Sequence, residues 1–277
     1  RSARFLSETI ESVLNQDYPN IEHIIVDGGS EDGTLEILNR YPHLRWVSEP
    51  DRGQSHAINK GIAMATGHIL GWLNADDTYN PKAVSTAVHA FLLQPDVDLV
   101  YSDLQIIDQN NQPIRVRRAR PFVLDDLLSV NHVTQPTVFF YRSIIEQIGG
   151  VDENLHYCMD REFWLRMGAS YRLCYHPGYI AANFRVHPGA KTSGDLSRFH
   201  AEWLYVMERA IRNPLYDNTP EWKKERAIMQ TRTRMHLAQI AEAFKKREFN
   251  LLVSSAHQLI TKDWKYIYIY ARDKFIS

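Results

Sequence analysis

Apolar residues in the first hundred positions alternate between helical spacing and short continuous runs. Five apolar residues between positions 5 and 14 share one helical face, and the β-branched run 21–26 stops at Asp27. The same order repeats, with predicted helices at 34–38, 55–65 and 80–93 and predicted strands at 44–48, 68–73 and 97–107. This alternation predicts an α/β fold, in which a mostly parallel sheet is flanked by helices and ligands bind at the carboxyl ends of the strands.

The pattern changes after about residue 108. Extended stretches at 137–141 and 179–186 lie on either side of a predicted helix at 160–167. From residue 196 the spacing of apolar residues is helical almost to the end of the chain.

These patterns predict two domains, an α/β body of residues 1–195 and a helical C-terminal extension of residues 196–277. A doubly wound α/β domain usually opens with a strand, whereas this chain starts almost directly in a helix. We therefore expect that an N-terminal strand is missing from this chain, together with any ligand contacts that it carried.

Composition is that of a globular protein, with 44% hydrophobic and 23% charged residues among 277. The 32 basic and 33 acidic side chains argue against a nucleic-acid-binding protein, which would carry a basic excess. The balance conceals an asymmetry, because residues 1–221 hold 20 basic and 28 acidic side chains and residues 222–277 hold 12 and 5. An acidic body is thus joined to a basic tail.

Cysteine content and hydropathy limit the compartment. Cys158 and Cys174 cannot by themselves build a disulfide framework or a zinc site, so a reducing, cytoplasmic setting is expected. The sequence has no apolar run of membrane-spanning length, and its charged first four residues differ from a signal peptide. We expect a soluble or peripheral membrane protein.

Acidic residues follow two of the predicted strands. Asp27 comes after the strand at 21–26, and Asp76 and Asp77 come after the strand at 68–73. Adjacent carboxylates repel each other, so their position at a crevice suggests a bound cation, and oxygen ligands without thiolates favour Mg²⁺ or Mn²⁺. The alternative is a simple turn before a helix capped by Asn80.

Two further loops follow strands in the same way. The segment VDGGSEDGT at 26–34 contains glycines that permit close backbone approach, and EPDRGQSHAINKG at 49–61 offers Asp51 and Arg52. Neither segment is a phosphate-binding P-loop or a dinucleotide-binding fingerprint. Each segment alone is typical of a turn, but three such loops in succession favour one shared site.

Five segments in order resemble the family 2 glycosyltransferases with the GT-A fold. They are VDGGSEDGT at 26–34, SEPDRGQSHAINKG at 48–61, LGWLNADD at 70–77, HYCMDREFWLR at 156–166 and FRVHPGAKT at 184–192. The resemblance covers roughly residues 3–195. It implies a metal-dependent enzyme that transfers a sugar from a nucleoside diphosphate sugar to an acceptor with inversion.

The resemblance assigns roles to the acidic loops. It implies that Asp27 and Asp51 bind the nucleotide, that Asp77 is a direct metal ligand, and that Asp76 lies nearer the ribose or the phosphates. The first position of the metal motif is Asn74 instead of the frequent Asp. We expect this difference to change the local charge without removing the metal ligand.

The resemblance also implies that Asp160 is the catalytic base, although Met159 replaces the glutamate that usually precedes it. One carboxylate is sufficient for an inverting displacement, because only the acceptor hydroxyl loses a proton. A helix N-cap is the alternative role for Asp160. Trp72 and Trp164 fit sugar stacking, although core packing is the more common role of such aromatics.

The remaining assignments concern the metal, the phosphates and the acceptor. By resemblance His187 contributes to the metal site, and Lys191 offers a charge for a phosphate oxygen and so belongs to the nucleotide-binding set. Gln135, Arg161 and Glu162 are expected on the acceptor side of the site.

The expected donor is a UDP-sugar, and the expected acceptor is a saccharide or a lipid-linked saccharide. The alternatives are a nucleotidyltransferase or nucleotide-sugar hydrolase on a similar fold, and a non-catalytic nucleotide-sugar-binding protein. The basic tail adds a candidate partner, the anionic surface at the inner face of a membrane. Residues 245–275 combine Lys and Arg with Trp and Tyr, a composition that suits such a surface. A helix that packs its aromatic residues on the body is the alternative.

Overall fold

The computed structural model describes residues 3–191 and 195–275, and it describes their side chains except at 215 and from 263 to 275. The chain divides into two compact units. The first comprises Arg1–Leu124 and Asn131–His187, and the second comprises Asp125–Val130 and Pro188–Ser277. The two domains predicted at 1–195 and 196–277 stay a prediction.

Helices and strands alternate through the first unit, and helices make up most of the second. The helices are α1 (Ala3–Leu14), α2 (Thr34–Leu38), α3 (Gln54–Met64), α4 (Ala83–Leu93), α5 (Leu124–Leu127), α6 (Ser143–Ile148), α7 (Met159–Gly168), α8 (Leu196–Ala210), α9 (Glu221–Lys246) and α10 (Phe249–Phe275). The strands are β1 (Ile24–Asp27), β2 (Arg45–Ser48), β3 (Ile69–Gly71), β4 (Thr78–Tyr79), β5 (Leu99–Ile107), β6 (Pro113–Arg117), β7 (Phe139–Tyr141) and β8 (Leu173–Arg185). The predicted α/β fold, flanking helices and helical C-terminal region are confirmed.

Strand direction is more mixed than the prediction of a mostly parallel sheet. The pairs β1–β2 and β5–β8 are parallel. The larger sheet has the order β3-β7-β5-β8-β4, with β6 on β5, and its other described pairs are antiparallel. A short connection explains one of them, since β5 and β6 are joined by a tight turn in which Asn111 has a φ of 64°, and such turns join antiparallel strands.

Hydrophobic burial explains why these segments adopt their conformations. The apolar face of α1 is buried through Phe5, Leu6, Ile10 and Val13, and eight of the nine residues of β5 are buried. β5 is therefore covered on both faces, and its burial includes the polar residues Ser102 and Asp103 in the middle of the strand. The first unit therefore has one hydrophobic cluster around β5 and a second one in which Leu6 and Ile10 of α1 pack against Leu38.

One local prediction is wrong. Asn80 does not cap α4, because Lys82 holds the cap position with a φ of 68° and no side-chain capping bond. The Asn80 side chain instead donates to the carbonyl of Ile180 at 2.9 Å and accepts from Asn183 at 2.8 Å. Cross-strand pairing with β8 thus determines the orientation of Asn80.

Among the residues that the structure describes, no helix combines the length and the apolar content needed to cross a membrane.

Candidate active site

Asp27 lies at the end of β1 and is 7% exposed. Its Oδ2 accepts hydrogen bonds from the amides of Gly29 (3.1 Å) and Ser30 (2.9 Å) and from the Ser48 hydroxyl (2.7 Å) on the neighbouring strand β2. Burial opposes the charge, but these bonds outweigh it and lower the pKa of Asp27 below its ordinary value of 3.8. The loop after β1 therefore holds a charged carboxylate at neutral pH.

Asp51 lies against the same loop. Its Oδ1 accepts a bond from the Gly53 amide at 2.8 Å. A methyl group on Gly28 would lie 2.4 Å from Oδ2 of Asp51, well inside van der Waals contact. Gly28 thus has no side chain for a spatial reason, and the structure brings the predicted nucleotide-binding residues Asp27 and Asp51 together.

Asp76 and His187 meet although 111 positions separate them in sequence. Oδ2 of Asp76 lies 3.1 Å from Nε2 of His187. The Asp76 side chain is 33% exposed and the His187 side chain is 15% exposed, so both are open to a ligand from solvent. Among the described residues, no three His, Cys, Asp or Glu side chains converge to hold an ion by themselves.

Asp77 points into the protein and is only 1% exposed. Its Oδ1 accepts a bond from the Arg185 amide at 2.9 Å, and Thr9 of α1 donates to its carbonyl at 2.8 Å. Burial, and secondarily the charge of Asp76, raise the pKa of Asp77 well above its ordinary value. Solvent therefore reaches Asp76 and is nearly excluded from Asp77, and the role of Asp77 as a direct metal ligand stays a prediction.

Asn74 belongs to the acidic loop, residues 72–77 between β3 and β4, and connects this loop to two other elements. Its amide nitrogen donates to Oδ2 of Asp77 at 3.2 Å and to Oε1 of Gln135 at 3.0 Å, and its oxygen accepts from Gln54 of α3 at 3.0 Å. An aspartate has no such donor. At position 74 it would bring another carboxylate against Asp77, so the amide suits this geometry.

Gln135 is half-buried beside Asn74, and its amide donates to the carbonyl of Trp72 at 2.5 Å. The ring of Trp72 lies 6.4 Å, centroid to centroid, from that of Trp164, which is fully buried. Trp164 is therefore a core residue, and Gln135 lies where the acidic loop meets this aromatic pair.

Asp160 occupies the first turn of α7. Its Oδ1 accepts a bond from the Arg161 amide at 2.7 Å. Burial raises the pKa of Asp160, and the bond and charge of Arg161 together with the charge of Arg117 offset this only in part. Cys158, not Asp160, precedes the helix as its cap residue, so the predicted alternative of an N-cap is not observed.

The segment that leads to Asp160 is fastened to helix α3. The Ser55 hydroxyl donates to the carbonyl of Leu155 at 2.6 Å, and the side-chain amide of Asn59 exchanges bonds of 2.9 and 3.0 Å with the backbone of Val151. Because α3 begins directly after the loop that holds Asp51, it connects that loop to the segment that precedes Asp160.

The acceptor-side residues differ in their surroundings. Arg161 is 7% exposed and has partners within the protein. Glu162 is equally buried, and both of its oxygens are held by Arg166 at 2.7 and 2.8 Å. This pair leaves little of the carboxylate for a ligand, and the place of Glu162 on the acceptor side stays a prediction. Lys191 belongs to the second unit, and its role at a phosphate stays a prediction.

Sequence reasoning missed several residues that shape the site: Gly28, Ser48, Gln54, Asn59 and Arg185. Arg185 carried a usable signal, because it lies two positions before His187 inside a segment already assigned to the site. The partners of Ser48, Gln54 and Asn59 are distant in sequence, and only the fold reveals them.

Residues 1–166 match the sequence profile of Glycosyl transferase family 2, which is more than half of the chain. The chain belongs to glycosyl transferase family 2. It is 36% identical over 166 residues to an uncharacterized glycosyltransferase of Mycobacterium tuberculosis, a match that covers 58% of this chain and 63% of the relative. The chain therefore spans less than two thirds of that relative.

Solved structures share the fold of this glycosyl transferase family 2 chain. S. aureus TarS 1–349 in complex with UDP-GlcNAc has a TM-score of 0.66 at 16% identity, covering 95% of this chain and 78% of that one. The mannosyltransferase PcManGT from Pyrobaculum calidifontis in complex with GDP-Man and Mn²⁺ has a TM-score of 0.62 at 21% identity, covering 95% and 79%. At these identities the likeness establishes the GT-A-like fold alone.

Proposed function

We propose that this chain is an inverting glycosyltransferase that moves a sugar from a nucleoside diphosphate sugar, most simply a UDP-sugar, to a hydroxyl of a saccharide or lipid-linked acceptor. The observation that carries the proposal is the 3.1 Å contact between Asp76 and His187. It places a carboxylate and an imidazole, both partly open to solvent, at the end of a strand of a family 2 fold.

Asp27 and Asp51 are the proposed nucleotide-binding residues. Three donors hold Oδ2 of Asp27 and keep the carboxylate charged, so its other oxygen is suited to accept bonds from a base. Asp51 reaches the same loop over Gly28. The structures of TarS with UDP-GlcNAc and PcManGT with GDP-Man support a nucleotide sugar as the donor.

Asp76 and His187 are the proposed metal ligands. A carboxylate oxygen and an imidazole nitrogen suit Mn²⁺, and Mg²⁺ also accepts one or two carboxylates with substrate phosphates and water. When bound, the ion supplies stabilisation of the charge that develops on the departing diphosphate. In this proposal Asp76 takes the metal-ligand role that the resemblance gives to Asp77, because Asp76 is the more exposed of the two carboxylates and contacts His187.

Asp160 is the proposed general base. The acceptor oxygen forms a bond to the anomeric carbon as the bond from that carbon to the diphosphate breaks, and the acceptor proton passes to Asp160. Burial moves the pKa of Asp160 towards the working range of a general base. Gln135 and Arg161 are proposed to border the acceptor, with Glu162 acting indirectly through its pair with Arg166.

Product analysis tests the reaction class. Incubation with UDP-, GDP- and dTDP-sugars, Mn²⁺ and a saccharide acceptor should release nucleoside diphosphate together with a glycosylated acceptor. In a parallel incubation with UTP and a sugar 1-phosphate, release of pyrophosphate together with a UDP-sugar would indicate a nucleotidyltransferase. In the incubation with nucleotide sugars, free sugar without acceptor product would indicate a hydrolase. If no product forms, calorimetric titration of UDP with and without Mn²⁺ distinguishes two causes. Binding that depends on Mn²⁺ would indicate that the right acceptor is missing, and binding that does not depend on Mn²⁺ would indicate that the protein does not use the metal.

We also propose that the basic turn between α9 and α10 contacts anionic lipid at the inner face of a membrane. Lys245, Lys246 and Arg247 lie between Phe244, which is 77% exposed, and Phe249, which is 75% exposed. Each basic residue near an anionic surface contributes about 1 kcal/mol. The aromatic residues of the predicted membrane segment beyond residue 262 lie outside the described side chains.

Liposome sedimentation tests this surface. The protein should bind phosphatidylserine vesicles at low salt, and changing Lys245, Lys246 and Arg247 together to Gln should release it. Changing Arg226, Arg232 and Arg234 to Gln provides a charge-matched control on the same helix. Absence of binding at low salt would exclude the membrane contact.

A further inference from the structure

Arg185 is the last residue of β8 and is completely buried, with 0% exposure. Complete burial of a guanidinium is rare and requires hydrogen-bonded and charged partners. Its partners lie around the acidic loop, where the resemblance assigned no role to Arg185.

Three nitrogens of the guanidinium bind three different elements. Nε donates to the carbonyl of Asp76 at 2.8 Å, Nη1 to Oδ1 of Asn111 at 2.6 Å, and Nη2 to Oε2 of Glu8 at 2.8 Å. The acidic loop, the β5–β6 turn and helix α1 are therefore joined through a single side chain.

Both the shape and the charge of arginine are needed for this arrangement. The planar guanidinium presents donors on three nitrogens in fixed directions, whereas a lysine carries all three of its donors on one nitrogen and does not reproduce these three donor positions. Glu8 supplies the opposing charge from the side of α1, where its side chain is 46% exposed.

The same residue also acts on the two side chains next to Asp76. Its backbone amide holds Oδ1 of Asp77 at 2.9 Å. The guanidinium carbon lies 4.5 Å from the centre of the Phe5 ring, and that ring lies 4.9 Å from the ring of His187. Arg185 therefore contacts the backbone of Asp76 directly, and it contacts the Phe5 ring, which in turn packs against His187.

We infer that Arg185 is a positioning residue that sets the relative placement of Asp76 and His187 and thereby the affinity of the site for a divalent ion. This inference rests on the proposed function, since it assumes that the pair binds metal. Mutation of a group that holds a metal ligand in place without binding the metal itself typically lowers metal affinity by about 10- to 100-fold.

The test is Arg185→Lys, which keeps the charge and removes the three-way contact. Titration of Mn²⁺ in the presence of UDP, followed by electron paramagnetic resonance, should show a dissociation constant raised about 10- to 100-fold. Binding of UDP without metal should not change, because Asp27 and Asp51 are untouched. Arg142→Lys is the matched control, since Arg142 donates to the Gly67 carbonyl and pairs with Glu146, neither of which belongs to the proposed metal site.

A second variant covers the case in which Arg185→Lys does not fold. Asn111→Gly removes the acceptor of Nη1 while keeping a residue that tolerates the positive φ of 64°. It should weaken Mn²⁺ binding in the same direction but less. High Mn²⁺ should restore the Mn²⁺-dependent part of UDP binding to both variants.

The outcomes separate this inference from the proposed function. A wild-type protein that binds no Mn²⁺ overturns the metal site and the inference together. A wild-type protein that binds Mn²⁺, with a folded Arg185→Lys or Asn111→Gly variant of equal affinity, overturns the positioning role alone.

Discussion

The loop after β1 and the first turn of α7 place the same residue type in opposite electrostatic environments. Burial opposes the charge of both Asp27 and Asp160. Asp27 receives two amides and a hydroxyl, which lower its pKa, whereas Asp160 receives the Arg161 amide and its pKa is raised. Burial therefore dominates at Asp160, where the Arg161 amide and the charges of Arg161 and Arg117 offset it only in part, whereas three donors outweigh burial at Asp27. Asp27 is suited to hold a ligand as a charged carboxylate, and Asp160 is suited to accept a proton.

Among the variants that test this contrast, Asp160→Asn should show the largest effect, which is a loss of sugar transfer. Removal of the base should lower transfer about 10²- to 10⁴-fold, while binding of UDP with Mn²⁺ stays at the wild-type level because Asp27 and Asp76 are intact. The measurements are product formation and calorimetric nucleotide binding. Asp126→Asn, at an exposed position of α5, is the control and should remain active. Full activity of Asp160→Asn would exclude Asp160 as the base.

Asp27→Ala should act on stability and on nucleotide binding. It leaves the Gly29 and Ser30 amides and the Ser48 hydroxyl without their acceptor, which should lower the free energy of unfolding by about 1–3 kcal/mol at pH 7. Urea denaturation measures the loss. Asp27→Asn keeps an acceptor oxygen and should cost less.

The pH dependence of that loss has a definite sign. A lowered pKa means that the charged form of Asp27 stabilises the folded state fully above the ordinary value of 3.8, and that this contribution disappears as the pH falls through the lower folded-state pKa. The wild-type protein and Asp27→Ala should therefore differ less in acid. An equal difference at pH 7 and in acid would contradict a charged Asp27.

The pH dependence of sugar transfer tests the raised pKa of Asp160. Because a base works deprotonated and the pKa of Asp160 is raised, activity should decline on the acid side at a pH above 3.8, by about tenfold per unit below the pKa. Arg117→Gln removes a charge that opposes this rise and should move the decline to higher pH. The ratio kcat/KM should be measured with nucleotide binding followed over the same range. A decline at or below pH 3.8 would show that burial does not govern this group.

Periodicity and strand-end residues predicted much of this fold from sequence. Predicted and observed bounds of α2 coincide at Thr34–Leu38, and β5 lies inside its predicted range. Apolar spacing is a local property, and these segments bury their apolar residues as the spacing requires. β4 is too short to show a pattern, and β6 alternates Ile114 and Val116 with arginines but leaves both apolar residues exposed. Pairing with β8 and with β5 defines these two strands.

The candidate site shows the same limit. Asp76 and His187 could be assigned by resemblance, but their 3.1 Å contact depends on β8 returning beside the acidic loop. The resemblance gave Asp76 and Asp77 different roles, but their difference in exposure could not be predicted, because the sequence does not show which of two adjacent side chains turns into the protein. Their exposures of 33% and 1% follow from the packing of Arg185 and α1 around one of them.

Two glycine substitutions should give the smallest effects, with opposite signs. A methyl group on Gly28 would lie 2.4 Å from Oδ2 of Asp51, whose other oxygen is fixed by Gly53. Gly28→Ala should therefore displace the carboxylate, weaken UDP binding and destabilise the fold by about 1 kcal/mol, the low end for overpacking because a side chain can yield.

Gly61→Ala lies in the middle of α3, where its new methyl group would meet Val26 at an ordinary 3.7 Å. Alanine loses less conformational freedom than glycine in a helix, so this variant should stabilise the fold by about 0.5–1 kcal/mol and leave UDP binding unchanged. Thermal unfolding and UDP titration of both variants measure the difference. If Gly28→Ala binds UDP as well as Gly61→Ala does, then Asp51 does not need its position over the β1 loop, and Asp27 alone must account for the contribution of that loop to nucleotide binding.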